Sequence, residues 1–436
     1  MCEKKIRLLI ITDNFLVGGR ETYLDCYTRS LRSRADMQTA LVAQRVENIT
    51  VDKIFDEVYQ VSLKESEKDL EGFLNTINEA VADFIPDVLW VQHYNLLPAW
   101  LVSVHCNIPL LYTMHGPLLS AGRLNRINDQ LGLACMMHYE GNISGVSIEI
   151  ADQIASISGE LMKKHKTSLI VNAVDIFELN DSELLRGKAS NNFRVVLLAR
   201  RQKLEHIRAA TKLFVDFLKK FPNSSMVIHT GIKSEENFLS NNNKENILKL
   251  LGKKWMLLNP SVYKVLERIK VEPLTQEVQK VIKNSDIVFG MGRVVLEGIA
   301  LRKPTVLVGY DKVISAVNDE NFSQLQSSNF SGRDQISLPS KEIIKQLTNM
   351  LSANEIYSNE LISKIDVNKQ SEKLEELLFA IKNKSVNNDK IPEDIRAGIS
   401  EVFENLKKSK WGDEELNLNY LRDSVSTAFK RLNNIS

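Results

Sequence analysis

The stretch SDIVFGMGRVVLEGIALRKPTV, residues 285–306, decides the fold. Ile287-Val288-Phe289 reads as a buried strand and Gly290-Met291-Gly292 as a tight turn. Val294–Leu301 follows as a helix, and Pro304 ends it before a second strand at Thr305–Val308. Strand, Gly-rich turn, helix and strand make one βαβ unit, whose strands lie parallel in a sheet covered by helices. A Gly-x-Gly turn opening a helix also puts backbone amides where a diphosphate can sit. Glu297, about one turn into that helix, is placed to accept two hydrogen bonds from a ribose diol. A merely solvated carboxylate would not explain its apolar neighbours Leu296, Ile299 and Ala300.

The same alternation extends in both directions. Toward the N-terminus, strands at Arg194–Leu198 and Met226–Thr230 flank a helix at Ile207–Phe221, and Ile269–Val271 is a further strand. Before them, the polar stretch Asn180–Asn192 reads as a boundary. An earlier series holds strands at Ile6–Thr12, Thr39–Ala43, Val58–Ser62, Val88–Gln92 and Pro109–Thr113. Helices at Glu21–Arg32, Leu70–Phe84 and Leu96–Val104 lie between them. The expected class is α/β, with two Rossmann-like parallel-sheet domains at 1–185 and 186–384. Beyond the polar run Lys382–Lys390, Ile391–Leu406 and Leu416–Leu432 carry apolar stripes at helical spacing, giving a helical tail at 385–436.

Composition bounds the function. The 436 residues carry 56 Lys and Arg against 55 Asp and Glu, so no excess of cations is present for neutralising a nucleic-acid backbone. Apolar residues at 43% argue against a disordered chain. The four cysteines, Cys2, Cys26, Cys106 and Cys135, form no CxxC pair, so reduced thiols are expected, with no metal site. The run Ile6–Ile11 is too short for a secretory core, and no stretch is long enough to span a bilayer. These features predict a cytoplasmic protein. Lys407, Lys408 and Lys410 beside Trp411 would allow weak contact with a membrane surface, although an ordinary packed amphipathic helix explains the same pattern.

Two further constellations sit at strand ends. Val17-Gly18-Gly19-Arg20-Glu21 follows the first strand and opens the first helix, again a phosphate-compatible arrangement. A tight turn with no ligand is the other reading. Dinucleotide binding is disfavoured, because a third Gly is missing and the second strand ends in Gln44-Arg45. His93 and His115 each follow a strand, at the edge where open α/β sheets bind ligands, and His115 stands beside a Gly116-Pro117 turn.

Taken in order, these pieces resemble the GT-B glycosyltransferases, specifically the large retaining "family four" group that uses nucleotide sugars. Gly18-Gly19-Arg20-Glu21 looks like its GGxE turn, and Thr113-Met114-His115-Gly116-Pro117 like its THG segment. Gly145-Val146-Ser147 is similar to its VS strand and Asn172-Ala173-Val174-Asp175 to its NGVD element. Leu197-Leu198-Ala199-Arg200 resembles its VGR turn, and residues 285–306 its donor signature. Asn329-Phe330-Ser331-Gly332-Arg333 resembles a stretch found in a bacterial subgroup with a GxGRxxLE form.

The resemblance implies two domains facing a cleft, with donor in the second and acceptor in the first. It assigns Glu297 to the ribose, and Gly290, Gly292 and Arg293 to the donor-binding turn. Gly18 and Gly19 would approach the diphosphate or sugar from the other wall, with His115 near the sugar. Arg200 would meet the diphosphate charge, which this fold handles without a metal. Two positions depart from the pattern. Phe289 stands where the family carries its first signature glutamate, and Glu205 where it carries a phosphate-binding lysine, for which Lys203 or Arg201 would substitute. The expected activity is transfer of a sugar from a nucleoside-diphosphate sugar to a glycan or lipid-linked acceptor with retention of configuration. A non-catalytic scaffold of the same fold and a nucleotide-sugar epimerase are the alternatives.

Overall fold

Long β-branched runs flanked by amphipathic segments build two separate parallel sheets. The computed structural model describes residues 5–61, 70–116, 132–136, 141–160, 167–176, 192–199, 204–230 and 243–383, except positions 17, 35, 47–50, 93, 94, 134, 274, 276, 334 and 354. The chain divides into two compact units. One holds Met1–Val171 together with the chain from Asn368 onward, and the other holds Asn172–Val367.

The first unit is built on β1 (Ile6–Ile11), β2 (Asn14–Phe15), β3 (Met37–Ala43), β4 (Arg45–Val46), β5 (Glu57–Gln60), β6 (Val88–Gln92), β7 (Leu110–Met114), β8 (Asn142–Gly145) and β9 (Ser168–Leu169). Seven of these form one sheet in the order β5-β3-β1-β6-β7-β8-β9, while β2 and β4 make a small pair of their own. Every neighbouring pair in the large sheet is parallel. All residues of β6 and β7 are buried, as expected for strands covered on both faces. Helix Leu70–Phe84 buries Phe73, Leu74, Ile77, Val81 and Phe84, the stripe that its spacing predicts. Polar residues inside this sheet are paired with one another. Trp90 Nε1 donates to Thr113 Oγ1 at 2.8 Å, and Thr113 Oγ1 lies 2.7 Å from Ser144 Oγ.

The second unit holds β10 (Arg194–Leu198), β11 (Ser225–Thr230), β12 (Ile269–Pro273), β13 (Ile287–Gly290), β14 (Thr305–Val308) and β15 (Val313–Ala316). Their order is β12-β11-β10-β13-β14-β15, parallel except for the antiparallel β14–β15 pair. Helix Arg293–Ala300 packs so closely on this sheet that a Cβ at Gly298 would lie 2.4 Å from Thr305 Oγ1. The fully buried Tyr357 secures the turn before β14. Its hydroxyl donates to the Lys303 carbonyl at 3.0 Å and accepts from Thr305 N at 3.1 Å.

Both sheets reverse their direction of growth at one place. From β1 the chain moves outward through β3 and β5, then returns to place β6 on the other side of β1. The second unit repeats this with β10, β11 and β12, then β13. Crevices form at the carboxyl ends of strands flanking such a reversal. The ends of β1 and β6, and of β10 and β13, are therefore the places to look for a site.

Both boundaries differ from those expected at 185 and 384. The second unit begins at Asn172 and ends at Val367, so helix Val367–Lys382 is anchored on the first unit. Ser30 Oγ donates to Asn368 Oδ1 at 2.8 Å, Arg34 pairs with Glu372 and Glu375, and Lys382 Nζ reaches the Lys5 carbonyl and Asp87. Those pairs are distant in sequence, so helical periodicity alone does not reveal them. The expected tail at 385–436 lies outside the described residues. Among the described residues, no helix is long and apolar enough to cross a membrane.

Gly332 has φ of 71°, and a Cβ there would come within 2.7 Å of the Gly309 Cα. Gly332→Ala is expected to lower unfolding stability by about 1–3 kcal/mol. An unchanged urea midpoint would contradict that packing.

Candidate functional site

In the second unit the site is built at the end of β13. The strand stops at Gly290 because a Cβ there would strike Val294 Cγ1 at 2.4 Å, so glycine alone allows the helix to turn back this tightly. Gly292 follows with φ of 58° and ψ of −127°, a conformation side chains disfavour. Its amide donates to the Phe330 carbonyl at 2.8 Å. That bond corrects one expectation. Gly292 shapes the turn, but its own N–H is already engaged and does not face a donor.

The Phe330 carbonyl comes from the Asn329–Arg333 stretch, which the fold brings directly against the glycine turn. Asn329 and Phe330 have φ of 55° and 49°, and Gly332 of 71°. Positive φ at a buried phenylalanine is strained, and it persists because the Phe330 ring packs on Phe322 with centroids 5.5 Å apart. Asn329 Oδ1 accepts a 2.6 Å hydrogen bond from Asn172 Nδ2. Next to Asn172, the Ala173 carbonyl accepts from Arg293 Nη1 at 2.7 Å. Arg293 Nε in turn lies 3.3 Å from Glu297 Oε1, one helical turn on, and both side chains are 9% exposed. Three segments far apart in sequence, Asn172–Ala173, Gly290–Glu297 and Asn329–Phe330, are thus tied together around one carboxylate.

Burial pushes the Glu297 carboxyl above its usual range, and the Arg293 guanidinium beside it opposes that shift. A carboxylate in this setting is a strong acceptor for hydroxyl donors that reach it, since water competes little. Phe289, by contrast, is fully buried, with strand partners Leu197 and Val306. No carboxylate at that position could face a ligand. The strand runs into the helix across Met291-Gly292 alone, leaving no loop to carry one.

In the first unit the corresponding edge holds Gly18, Gly19 and His115. The Gly18 carbonyl accepts from Thr22 N at 3.0 Å and from Thr22 Oγ1 at 2.7 Å, fixing the start of helix Gly19–Arg34. Among the described residues, a Cβ at Gly19 would meet nothing within 4 Å. Arg20 bridges Asp13 at 2.5 Å and Glu21 at 3.1 Å, which locks the strand-to-helix turn and gives Glu21 a structural partner. His115 is held by two residues that the sequence did not single out. Its Nε2 lies 2.7 Å from Gln92 Oε1, and its ring meets the buried Tyr23 ring edge-on at 4.8 Å. With the amide oxygen as acceptor, Nε2 carries the hydrogen in the neutral ring. Gln92 ends β6 and Tyr23 lies on the first helix, and only the sheet order shows that both reach His115. Burial also raises the Tyr23 phenol above its ordinary value.

The structure therefore gathers Gly290, Gly292, Arg293 and Glu297 at the end of β13, and places Gly18 and Gly19 after β1 and His115 after β7. Arg200, Lys203 and His93 lie outside the described residues. Glu205 is paired with Arg208 and exposed. Among the described residues, no cluster of three or more His, Cys, Asp or Glu side chains could hold a metal ion.

No family model matches the sequence, and no curated protein matches it either. Solved structures do match. A glycosyltransferase from Rickettsia africae ESF-5 aligns with a TM-score of 0.56 at 14% identity, over 88% of this chain and all of its own. The Anabaena protein HepE, solved with UDP and glucose, aligns at 0.54 and 14% identity, over 86% of this chain and all of its own. The fold is GT-B. A UDP-GlcNAc 2-epimerase from Methanocaldococcus jannaschii aligns nearly as well, at 0.53 and 14% identity over 86% of this chain and 99% of its own. At such identities the likeness establishes the GT-B fold and leaves the choice between transfer and epimerisation to the site.

The raised Glu297 carboxyl makes the GT-B unit's stability depend on pH. Its native state holds a proton more tightly than the unfolded chain, so stability falls as pH rises from the ordinary carboxylate range, about 4.3, through the raised value. Glu297→Gln is expected to remove that decline, measured by urea unfolding across the acid-to-neutral range. A variant whose decline matches the wild type would show that another group is responsible.

Proposed function

We propose that the chain is a glycosyltransferase that moves a sugar from a nucleoside-diphosphate sugar to a glycan or lipid-linked acceptor, with retention of configuration. The carrying observation is Glu297, a buried carboxylate held by Arg293 at the carboxyl end of β13, beside the sheet reversal. In this reading Glu297 accepts hydrogen bonds from the ribose diol, and Arg200 with Lys203 meets the diphosphate charge. Electrostatic stabilisation of the departing nucleotide is then the main catalytic contribution. The family resemblance assigns the sugar to His115, whose ring Gln92 and Tyr23 fix. The acceptor oxygen attacks the anomeric carbon on the face from which the nucleotide leaves. As the bond to the diphosphate breaks, the leaving phosphate takes the acceptor's proton.

Two other readings share the fold. Epimerisation of a nucleotide sugar has the support of the Methanocaldococcus likeness. A non-catalytic nucleotide- or glycan-binding scaffold has the support of Phe289 and Glu205, at positions where the resembled family carries a glutamate and a lysine.

Thermal unfolding with UDP, GDP and ADP tests the shared premise. A nucleotide at about 100 times its Kd stabilises by about 2.7 kcal/mol, and Glu297→Ala should abolish most of the shift. No response to any nucleotide would overturn the reading. With the matching sugar nucleotide, nucleotide release that requires an acceptor signifies transfer. Conversion of the donor without acceptor signifies epimerisation, and binding without turnover signifies a scaffold.

A further inference from the structure

At the β12 edge of the second sheet, residues 243–270 form a strongly basic surface with exposed apolar side chains. This segment carries seven Lys and Arg against two Glu, whereas the whole chain is nearly balanced. Helix Asn243–Leu251 ends at Gly252, whose φ of 84° turns the chain into Lys253–Leu258 and then Pro260–Tyr263. Met256, Val262 and Leu266 point inward and are buried. Leu257 and Leu258 point outward and are 82% and 73% exposed, and Tyr263 is half exposed. Lys253, Lys254 and Lys264 are exposed beside them, and Lys244 Nζ lies 5.0 Å from the centre of the Tyr263 ring.

This exposure is imposed by the fold. Asn259 Nδ2 donates to the Trp255 carbonyl at 2.7 Å, and Val262 N donates to the Asn259 carbonyl at 3.0 Å. Arg208 and Lys212 both stand 5.7 Å from the centre of the Trp255 ring. The segment is braced from below, and its two leucines are held out in water.

We propose that this surface docks on an anionic lipid bilayer, with Leu257 and Leu258 entering the interface and the flanking lysines meeting lipid phosphates. Lysines suit that role, because their long apolar stems lie along the boundary while their ammonium groups reach the headgroups. A protein interface is a poorer fit, since such surfaces are depleted in lysine and centre on aromatic or arginine anchors in pockets. Here the apolar pair protrudes and is ringed by lysine. A nucleic acid would gain nothing from exposed leucines. The inference is independent of the reaction assigned to the site.

Sedimentation of the full chain with vesicles tests it. Vesicles of equal parts phosphatidylcholine and phosphatidylglycerol should bring the protein down, while phosphatidylcholine alone should not. Leu257→Ser with Leu258→Ser should weaken binding by about tenfold or more, and Lys253→Glu with Lys254→Glu by a similar factor. All four positions are exposed, so each double variant should keep the wild-type thermal midpoint. Failure to bind anionic vesicles would overturn the proposal, as would binding that both variants leave unchanged. A dimer in light scattering that the leucine variant dissolves would also overturn it, by assigning the surface to a second copy of the chain.

Discussion

A carboxylate withdrawn from water is costly unless a cation and hydrogen-bond donors compensate it, and Glu297 imposes that requirement on the whole second unit. Its partner Arg293 is itself nearly buried, so it needs an acceptor of its own, which the Ala173 carbonyl provides. That carbonyl is in place because the segment after Asn172 is tied to the unit's last turn, Val174 N donating to the Ile365 carbonyl and Val367 N to the Val174 carbonyl. Asn172 is fixed in turn by Asn329, whose neighbour Phe330 accepts from Gly292 and closes the circuit. Removing one member of a buried charge pair typically costs about 3–5 kcal/mol, more than replacing the pair would. The arrangement is weak evidence for stability and better evidence for a function that needs a desolvated carboxylate.

The first unit reaches a comparable result with neutral groups. His115 lies on the carboxyl side of β7, where a backbone turn alone would leave its ring free to rotate. Gln92 and Tyr23 remove that freedom, one by a hydrogen bond and the other by an edge-on contact. Among the described residues, Gln92 Nε2 and the Tyr23 hydroxyl have no hydrogen-bond partner in return. Unsatisfied buried polar atoms are expensive, and their concentration behind one histidine fits a site tuned for geometry.

Much of the fold was legible because buried parallel strands must be continuous apolar runs and their covering helices must be amphipathic. Val88–Gln92, Arg194–Leu198 and Thr305–Val308 coincide with their expected bounds, as does helix Leu70–Phe84. The sequence reading touched β8 only at Gly145, the first residue of the family-like segment Gly145-Val146-Ser147. Asn142-Ile143-Ser144-Gly145 lacks apolar character because Ser144 pairs with Thr113 inside the sheet. The return of helix Val367–Lys382 to the first unit was hidden for a different reason, since it rests on pairs such as Ser30 with Asn368. At the site, glycine spacing and a lone carboxylate pointed to Gly290, Gly292 and Glu297. The two positive φ angles at Asn329 and Phe330, and the occupied amide of Gly292, follow only from three-dimensional closure.

The central claim is that Glu297 recognises a ribose diol from within its ion pair with Arg293. It is tested most directly by comparing the Kd of UDP with that of its dideoxy analogue, which lacks both ribose hydroxyls, in the wild type and in Glu297→Gln. The expected result is at least about tenfold tighter binding of UDP by the wild type, with most of that preference lost in the variant. Equal affinities of the wild-type protein for the two nucleotides would contradict it.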